Sequence, residues 1–274
     1  LYTKKDILKC FGNGLMPTIS SIRECLICNN IGKSNNLKFS IHLKVDTGMS
    51  RLGFEFNQLV QQFKKIKSLE NIAVKGIYSH LACADEKNAF DPKSSAQLQR
   101  EKFQKLLKLI NIDKTQNIKI HLANSAGMML GKSFHFDMVR VGLSMYGYET
   151  LVKTSENLFL KPALFLKSKV TFVRTIEKGI GVSYGNKFVS DRKTKLAVLS
   201  IGYADGIIRN LSGKINLIHK EKIYPQVGSI TMDQMMVDIT GSDDISVGST
   251  MLLLGSDGGE SISPIDWADK CNSC

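Results

Sequence analysis

Nowhere does this sequence of 274 residues run to the ~18 to 20 uninterrupted apolar residues that a membrane-spanning helix needs. Its start, Leu1-Tyr-Thr-Lys-Lys-Asp6, also lacks the charged, then apolar, then small-residue layout of a secretory leader. Both absences set the expectation of a soluble, cytoplasmic protein with no membrane partner. There is no repeat at a fixed period and no low-complexity linker, which excludes a solenoid and suggests domains that touch. The charge of +12 is not gathered into a stripe with interleaved aromatics. Lys4, Lys5, Lys64, Lys65, Lys67, Lys105, Lys108, Lys220 and Lys222 are scattered, so no nucleic-acid partner is expected.

Six cysteines raise the question of zinc, since Cys25-x-x-Cys28 and Cys271-x-x-Cys274 imitate a paired ligand set. The first pair sits in Ser21-Ile-Arg-Glu-Cys-Leu-Ile-Cys28, which reads as the buried face of a helix, and the second ends the chain. Reduced structural thiols in a reducing compartment are the expectation, with no metal. What is present is ordinary for a globular protein: 43% hydrophobic and 8% aromatic residues, enough for a real core.

The chain changes character about halfway. Up to about residue 150, short β-branched runs alternate with amphipathic stretches, the pattern of βα units on a parallel sheet. Strands are expected at Lys38–Asp46, Ala73–His80, Ile118–Leu122 and around Val139–Tyr146, and helices at Asn57–Ser68 and Ser94–Ile110. A closed eightfold barrel takes ~250 residues, so this is a partial one. From about Leu158 short strands alternate with glycine-rich turns, at Leu166–Thr175, Leu196–Tyr203, Ile215–Ile218, Gln226–Asp238 and Met251–Gly255. The fold class expected is α/β plus all-β: a partial TIM-like (β/α) barrel over 1–150, then a β-barrel or sandwich over 151–274.

Four segments set polar or ionisable residues among glycines where a plain core strand would be apolar. In Lys44-Val-Asp-Thr-Gly-Met-Ser-Arg-Leu-Gly53 a strand gives way to a loop that leaves the fork of Arg51 free to take a carboxylate. Lys44 would face the barrel interior, where an ammonium needs a partner or modification. Read alone, this is an anion site or a surface arginine beside a solvated lysine. In His121-Leu-Ala-Asn-Ser125 with Asp137-Met-Val-Arg140, Asn124 and Ser125 end a strand and start a helix, where a hydroxyl and free N–H groups suit a phosphate; Ser125 as a plain N-cap is the alternative. Gly142 could offer a further N–H. Tyr184 and Tyr203 lie in glycine-flanked turns, and Met232-Asp-Gln234 completes the set. A tyrosine becomes a base only where its neighbours lower its pKa, and many such tyrosines simply pack.

Together these segments resemble the alanine racemase family, in the family's order and over nearly the whole chain. The match is carried by Lys44–Phe54, Gly76–Asp85, Ala123–Ala126, Asp137–Gly142 with Tyr146-Gly147, Gly181–Gly185, Ile201–Gly206 and Val227–Asp238. The resemblance implies a fold-type III enzyme that interconverts L- and D-alanine with pyridoxal 5'-phosphate by two-base proton transfer. It also implies a homodimer whose active sites are shared, and a role in supplying D-alanine for peptidoglycan. By resemblance Tyr184 is the base on the L face, given by the partner subunit. Arg51 and Met232 bind substrate, with Lys44, often carboxylated in the family, orienting Arg51. Ser125, Gly142 and Leu143 contact the cofactor phosphate, and His80, Arg140 and Tyr203 complete its site, with Asn124 and Asp233 in support. Arg140 would face the pyridine nitrogen and discourage its protonation.

The chain departs from the family at both ends. The cofactor lysine of the family stands in a Lys-Ala-Asn-Ala-Tyr-Gly context that nothing here matches, and Leu1 aligns beyond it. The sequence also stops at Asp266–Cys274, before the strand that carries a further active-site tyrosine. The expectation is a fragment that is inactive alone. A non-catalytic binding relative is the second reading, against which the retention of Tyr184, Arg140, Arg51 and Met232 speaks. A serine or broad-specificity racemase is a third, and the Val-Ser-Tyr-Gly and Met-Asp-Gln segments set the chain apart from decarboxylases of the same barrel class.

Overall fold

The computed structural model describes residues 3–112, 114–149 and 160–272. It divides into two units, Leu1–Lys161 and Pro162–Cys274. The boundary expected at 150/151 lies outside the described residues.

In the first unit helices and strands alternate: α1 (Lys4–Gly12), β1 (Thr18–Ile19), α2 (Ile22–Asn35), β2 (Phe39–Lys44), α3 (Phe56–Lys67), β3 (Ile72–Tyr78), α4 (Ser95–Leu109), β4 (Lys119–His121) and α5 (Ser125–Met129). The four strands pair in parallel in the order β1-β2-β3-β4, a segment of a (β/α) barrel. Local chemistry fixes the helix starts: the hydroxyls of Thr3, Ser21 and Ser94 accept the N–H of Asp6, Glu24 and Gln97. Phe39, Ile41 and Leu43 of β2 pack with Leu59, Phe63 and Ile66 of α3 and Phe103 and Leu106 of α4 in one core. Cys25 and Cys28 lie on the buried face of α2, where burial pushes their thiols up to about 12 and about 11 and keeps them protonated.

The strand expected around Val139–Tyr146 is absent. Its pairing with β4 shrinks to one bridge, His121 to Met138, because the Asp137 carboxylate takes the Ile120 N–H (2.7 Å) that a ladder would need. The chain then closes into a 3₁₀ turn over Leu143–Tyr146.

The second unit is antiparallel: β5 (Leu166–Ile176), β6 (Gly181–Val182), β7 (Phe188–Val189), β8 (Thr194–Leu199), β9 (Asn216–His219), β10 (Lys222–Val227), β11 (Met235–Asp238), β12 (Thr250–Asp257) and β13 (Glu260–Ile262), followed by α6 (Pro264–Cys271). The sheet runs β13-β12-β5-β8-β11-β10-β9, and a β12–β9 pairing at Leu252 and Ile218 closes it into a barrel. Two expectations need correction. Gln226–Asp238 is two strands, parted by a loop that turns at Gly228 (φ 71°) and again at Thr231–Gln234, where the Thr231 N–H reaches the Gln234 carbonyl (2.9 Å). The strand expected at Leu196–Tyr203 ends at Leu199, and Tyr203 opens a 3₁₀ turn between Gly202 and Gly206, in keeping with its flanking glycines. Among the described residues no helix is long and apolar enough to cross a membrane.

Phe103 is fully buried and meets the Phe136 ring edge-on at 5.3 Å. Phe103→Ala should lower the stability of the first unit by about 3 to 5 kcal/mol, read from urea unfolding; a loss under ~1 kcal/mol would place that core elsewhere.

Candidate active site

The loops at the C-terminal ends of β2, β3 and β4 lie side by side, as adjacent parallel strands require, and they carry most of the expected residues of the first unit. After β2 the Asp46 carboxylate gathers the backbone N–H groups of Gly48, Met49 and Ser50 at 2.9 to 3.1 Å. Burial works against its ionisation, but these three bonds prevail and hold its pKa below the usual range. Arg51 follows on this loop with its side chain exposed. Lys44 is buried, so the solvated alternative fails. Burial, then the charges of Arg51 and Arg140, lower its pKa.

Arg140 is the centre of the first unit's polar cluster. One terminal nitrogen donates to His121 Nδ1 (2.7 Å), the other to the carbonyls of Ser79 (2.9 Å) and Leu122 (3.2 Å) and to His80 Nδ1 (3.0 Å). A guanidinium only donates, so both Nδ1 atoms accept and each ring carries its proton on Nε2. From there His121 donates to His42 Nδ1 (3.1 Å). Tyr78 stacks on His121 (centroids 4.6 Å apart, 9° between planes) and lies under Arg140 at 4.9 Å. Gly76 makes this possible, since a side chain there would collide with the His42 ring. Burial and the Arg140 charge push His80 down to about 4 and His121 to about 3. The histidines are therefore neutral at pH 7, and no ion pair neutralises Arg140 among the described residues.

Beside it lies a cradle for an anion. Asn124 caps α5, its side-chain oxygen accepting the Gly127 N–H (2.9 Å), so Ser125 is not the cap. The Ser125 oxygen instead accepts the N–H of Gly142 (2.8 Å) and Ser144 (3.4 Å), leaving its own proton free to donate. Among the described residues the buried Ser144 hydroxyl has no partner, and Leu143, between Gly142 and Ser144, is exposed. An orphaned buried hydroxyl is costly unless a ligand meets it. With Lys44, Arg51 and Arg140 all cationic or potentially so, these residues fit a phosphate and a carboxylate.

Sequence reasoning assigned no role to His42, Tyr78, His121, Ser144 or Gln99. His121 stood inside a quoted motif, and a histidine two residues before the end of β2 was visible, but their mutual contact depends on strand register.

In the second unit Tyr184, Tyr203, Met232 and Asp233 line one cavity of about 670 Å³, with Phe172 and Ile180 on its walls. The Tyr184 backbone is clamped: its carbonyl accepts the Ser229 hydroxyl (2.9 Å), and Ser183 reaches the Ser229 carbonyl (2.7 Å). Gly228, at φ 71°, lets the backbones of these two loops approach where any side chain would meet the Val182 carbonyl. The turn of Tyr203 is fixed likewise, the N–H groups of Tyr203 and Ala204 reaching the carbonyls of Thr231 and Met232 (3.0 and 2.8 Å). The backbone is held while Tyr184 as a residue stays 68% exposed, which suits a side chain displayed for contact.

A barrel segment with an anion cradle at its strand ends, followed by a β-barrel that presents tyrosines, is the architecture of a two-domain protein of the barrel class that takes an anionic ligand. The models of the alanine racemase N-terminal domain and C-terminal domain match residues 2–150 and 163–274, and the chain belongs to the alanine racemase family, a family of pyridoxal-phosphate enzymes. It is 46% identical to the alanine racemase of Prochlorococcus marinus over 273 residues, all of this chain and 70% of that protein. It is also similar to the solved alanine racemase of Clostridium difficile 630 (30% identity, TM-score 0.89, 100% of this chain and 70% of that one). A further likeness is to that of Bartonella henselae, with covalently bound pyridoxal phosphate (30% identity, TM-score 0.83, 100% and 72%).

Because the folded pKa values of His80 and His121 lie below the ordinary 6.5, the unfolded chain binds more protons between those values. Stability from these neutral imidazoles is present in full above pH 6.5 and lost as pH falls toward about 4 and then about 3. The denaturation midpoint of the first unit should drop over that window, and His121→Asn should flatten the drop. An identical slope in the variant would count against a buried neutral His121.

Proposed function

We propose that this chain carries the greater part of an alanine racemase that exchanges the Cα proton of alanine with bound pyridoxal 5'-phosphate. The observation that carries this reading is the buried, partnerless Ser144 hydroxyl next to Ser125 and Gly142, at the same strand edge as an arginine whose partners are all neutral. Ser125, Gly142, Leu143 and Ser144, supported by Asn124, would hold the phosphate, and Arg140 and His80, with Tyr203 supplied by a partner subunit, would hold the ring. Bound pyridoxal phosphate supplies an electron sink that makes the Cα–H of an attached amino acid acidic.

The chain's own residues do the rest. Arg51 holds the substrate carboxylate through its paired N–H donors, with Met232 closing the space around the methyl group and Asp233 supporting that turn. Arg140, a donor that keeps its protons, would hold the cofactor ring without protonating it. Tyr184 Oη takes or returns the proton on the L face. The exposure of Tyr184, Met232, Phe172 and Ile180 around one cavity supports a homodimer in which this face completes the site of the partner subunit. Burial beside two arginines favours the neutral Lys44 amine, the form that adds carbon dioxide to give a carbamate, which would orient Arg51. In this reading the covalent hold on the cofactor and the D-face base come from groups that these 274 residues do not supply, so a polypeptide limited to them does not racemise alanine. Acting in the cytoplasm, such an enzyme would supply D-alanine for the building of peptidoglycan.

Full-length protein purified with pyridoxal phosphate should absorb in the visible and convert L- to D-alanine, and Tyr184→Phe should slow this by about 100-fold or more. Binding of the cofactor without racemisation would make the protein a ligand-binding relative. Ser144→Ala should weaken cofactor affinity by about 10-fold, measured by absorbance titration; an unchanged affinity would remove Ser144 from the phosphate site.

A further inference from the structure

The buried stripe of α4 reads Ala96, Gln99, Phe103, Leu106, apolar but for one amide. Gln99 is 3% exposed, and an amide so buried is costly unless all its hydrogen-bonding groups are met. They are met, and by the site loops. Gln99 Oε1 accepts the Ala82 N–H (2.9 Å), and Nε2 donates to the His80 carbonyl (3.0 Å) and to Thr47 Oγ1 (3.2 Å). Thr47 and Ser79, both buried, share a further hydroxyl contact of 2.7 Å. One side chain from the helix behind the sheet thus bridges the loop that carries Arg51 and the loop that carries His80. Thr47 lies directly between that bridge and Asp46, whose carboxylate sets the course of residues 48–50.

We propose that Gln99 is a positioning residue: its amide fixes the spacing of the Arg51 and His80 loops and so tunes the binding of the substrate carboxylate, an inference that rests on the functional reading above. Core packing alone would be served by a leucine or methionine at this place in the stripe. A displacement near 1 Å at such loops can change rate or binding by as much as ~100-fold.

The test compares wild type, Gln99→Met and Gln99→Glu as full-length holoenzymes, with rates expressed per bound cofactor. Gln99→Met is expected to raise KM for alanine by about 10-fold with a smaller change in kcat, since three loop groups lose the Gln99 amide. Gln99→Glu keeps the acceptor for Ala82 but, when ionised, sets an oxygen against the His80 carbonyl. Its KM relative to wild type should fall as the pH is lowered and the carboxyl regains a proton to donate. Variants that lose only melting temperature or holoenzyme yield, with KM and kcat per bound cofactor within twofold of wild type, would overturn the proposal and leave Gln99 a packing residue. If Gln99→Met does not accumulate, the pH dependence of Gln99→Glu decides alone. A wild-type holoenzyme that fails to racemise alanine would instead overturn the functional reading.

Discussion

A half-buried guanidinium held by neutral acceptors is the constraint around which the first unit is arranged. Arg140 is bonded to two histidines and two carbonyls, with a tyrosine ring beneath it and no carboxylate bonded to it. Burying such a charge is costly, and the cost is tolerable here because every acceptor is itself fixed. His121 is held by the stacked Tyr78 and by His42, and the carbonyls of Ser79 and Leu122 belong to strand ends held by the parallel ladder. An acid in place of either histidine would neutralise the cation; imidazole leaves the positive potential for a ligand. Lys44 and Arg51 add to it, and the one acid of their loop, Asp46, is occupied by backbone N–H groups. The result is a strand edge with positive potential, which agrees with a cofactor phosphate and a substrate carboxylate.

The same logic of fixed backbone and free side chain governs the second unit. Ser229, Ser183 and Gly228 hold the turn that carries Tyr184, and paired carbonyls hold the turn of Tyr203, while the rings remain open to what meets them. Neither turn depends on the side chain it displays, so a substitution at Tyr184 alters chemistry with little effect on the barrel.

Much of this was legible in the sequence where local signals suffice. The spans of α3, α4, β2 and β3 follow from apolar period and from caps such as Ser94, and the change of pattern near Leu158 marks the passage to an antiparallel barrel. The strand expected at Val139–Tyr146 failed because its β propensity is real but its ladder is interrupted by the Asp137 side chain, a contact across two segments. Helix α6 was readable and overlooked: Ser263-Pro-Ile-Asp266 is a capping box with proline at the first turn. Residues proposed to touch the ligand, such as Arg51, Ser125 and Tyr184, announce themselves by polarity among glycines. Others do not: His42, Ser144 and Gln99 look like ordinary strand, turn and helix residues until register brings them together.

The most direct test of the neutral cage around Arg140 is the tautomer of His121, read by nitrogen NMR of ¹⁵N-histidine-labelled protein at pH 7. Expected is a neutral ring with Nδ1 unprotonated and Nε2 protonated, unchanged down to about pH 5, since its pKa is pushed to about 3. A proton on Nδ1, or an imidazolium at neutral pH, would mean that Arg140 is not bonded to this ring and would contradict the arrangement on which the anion site depends.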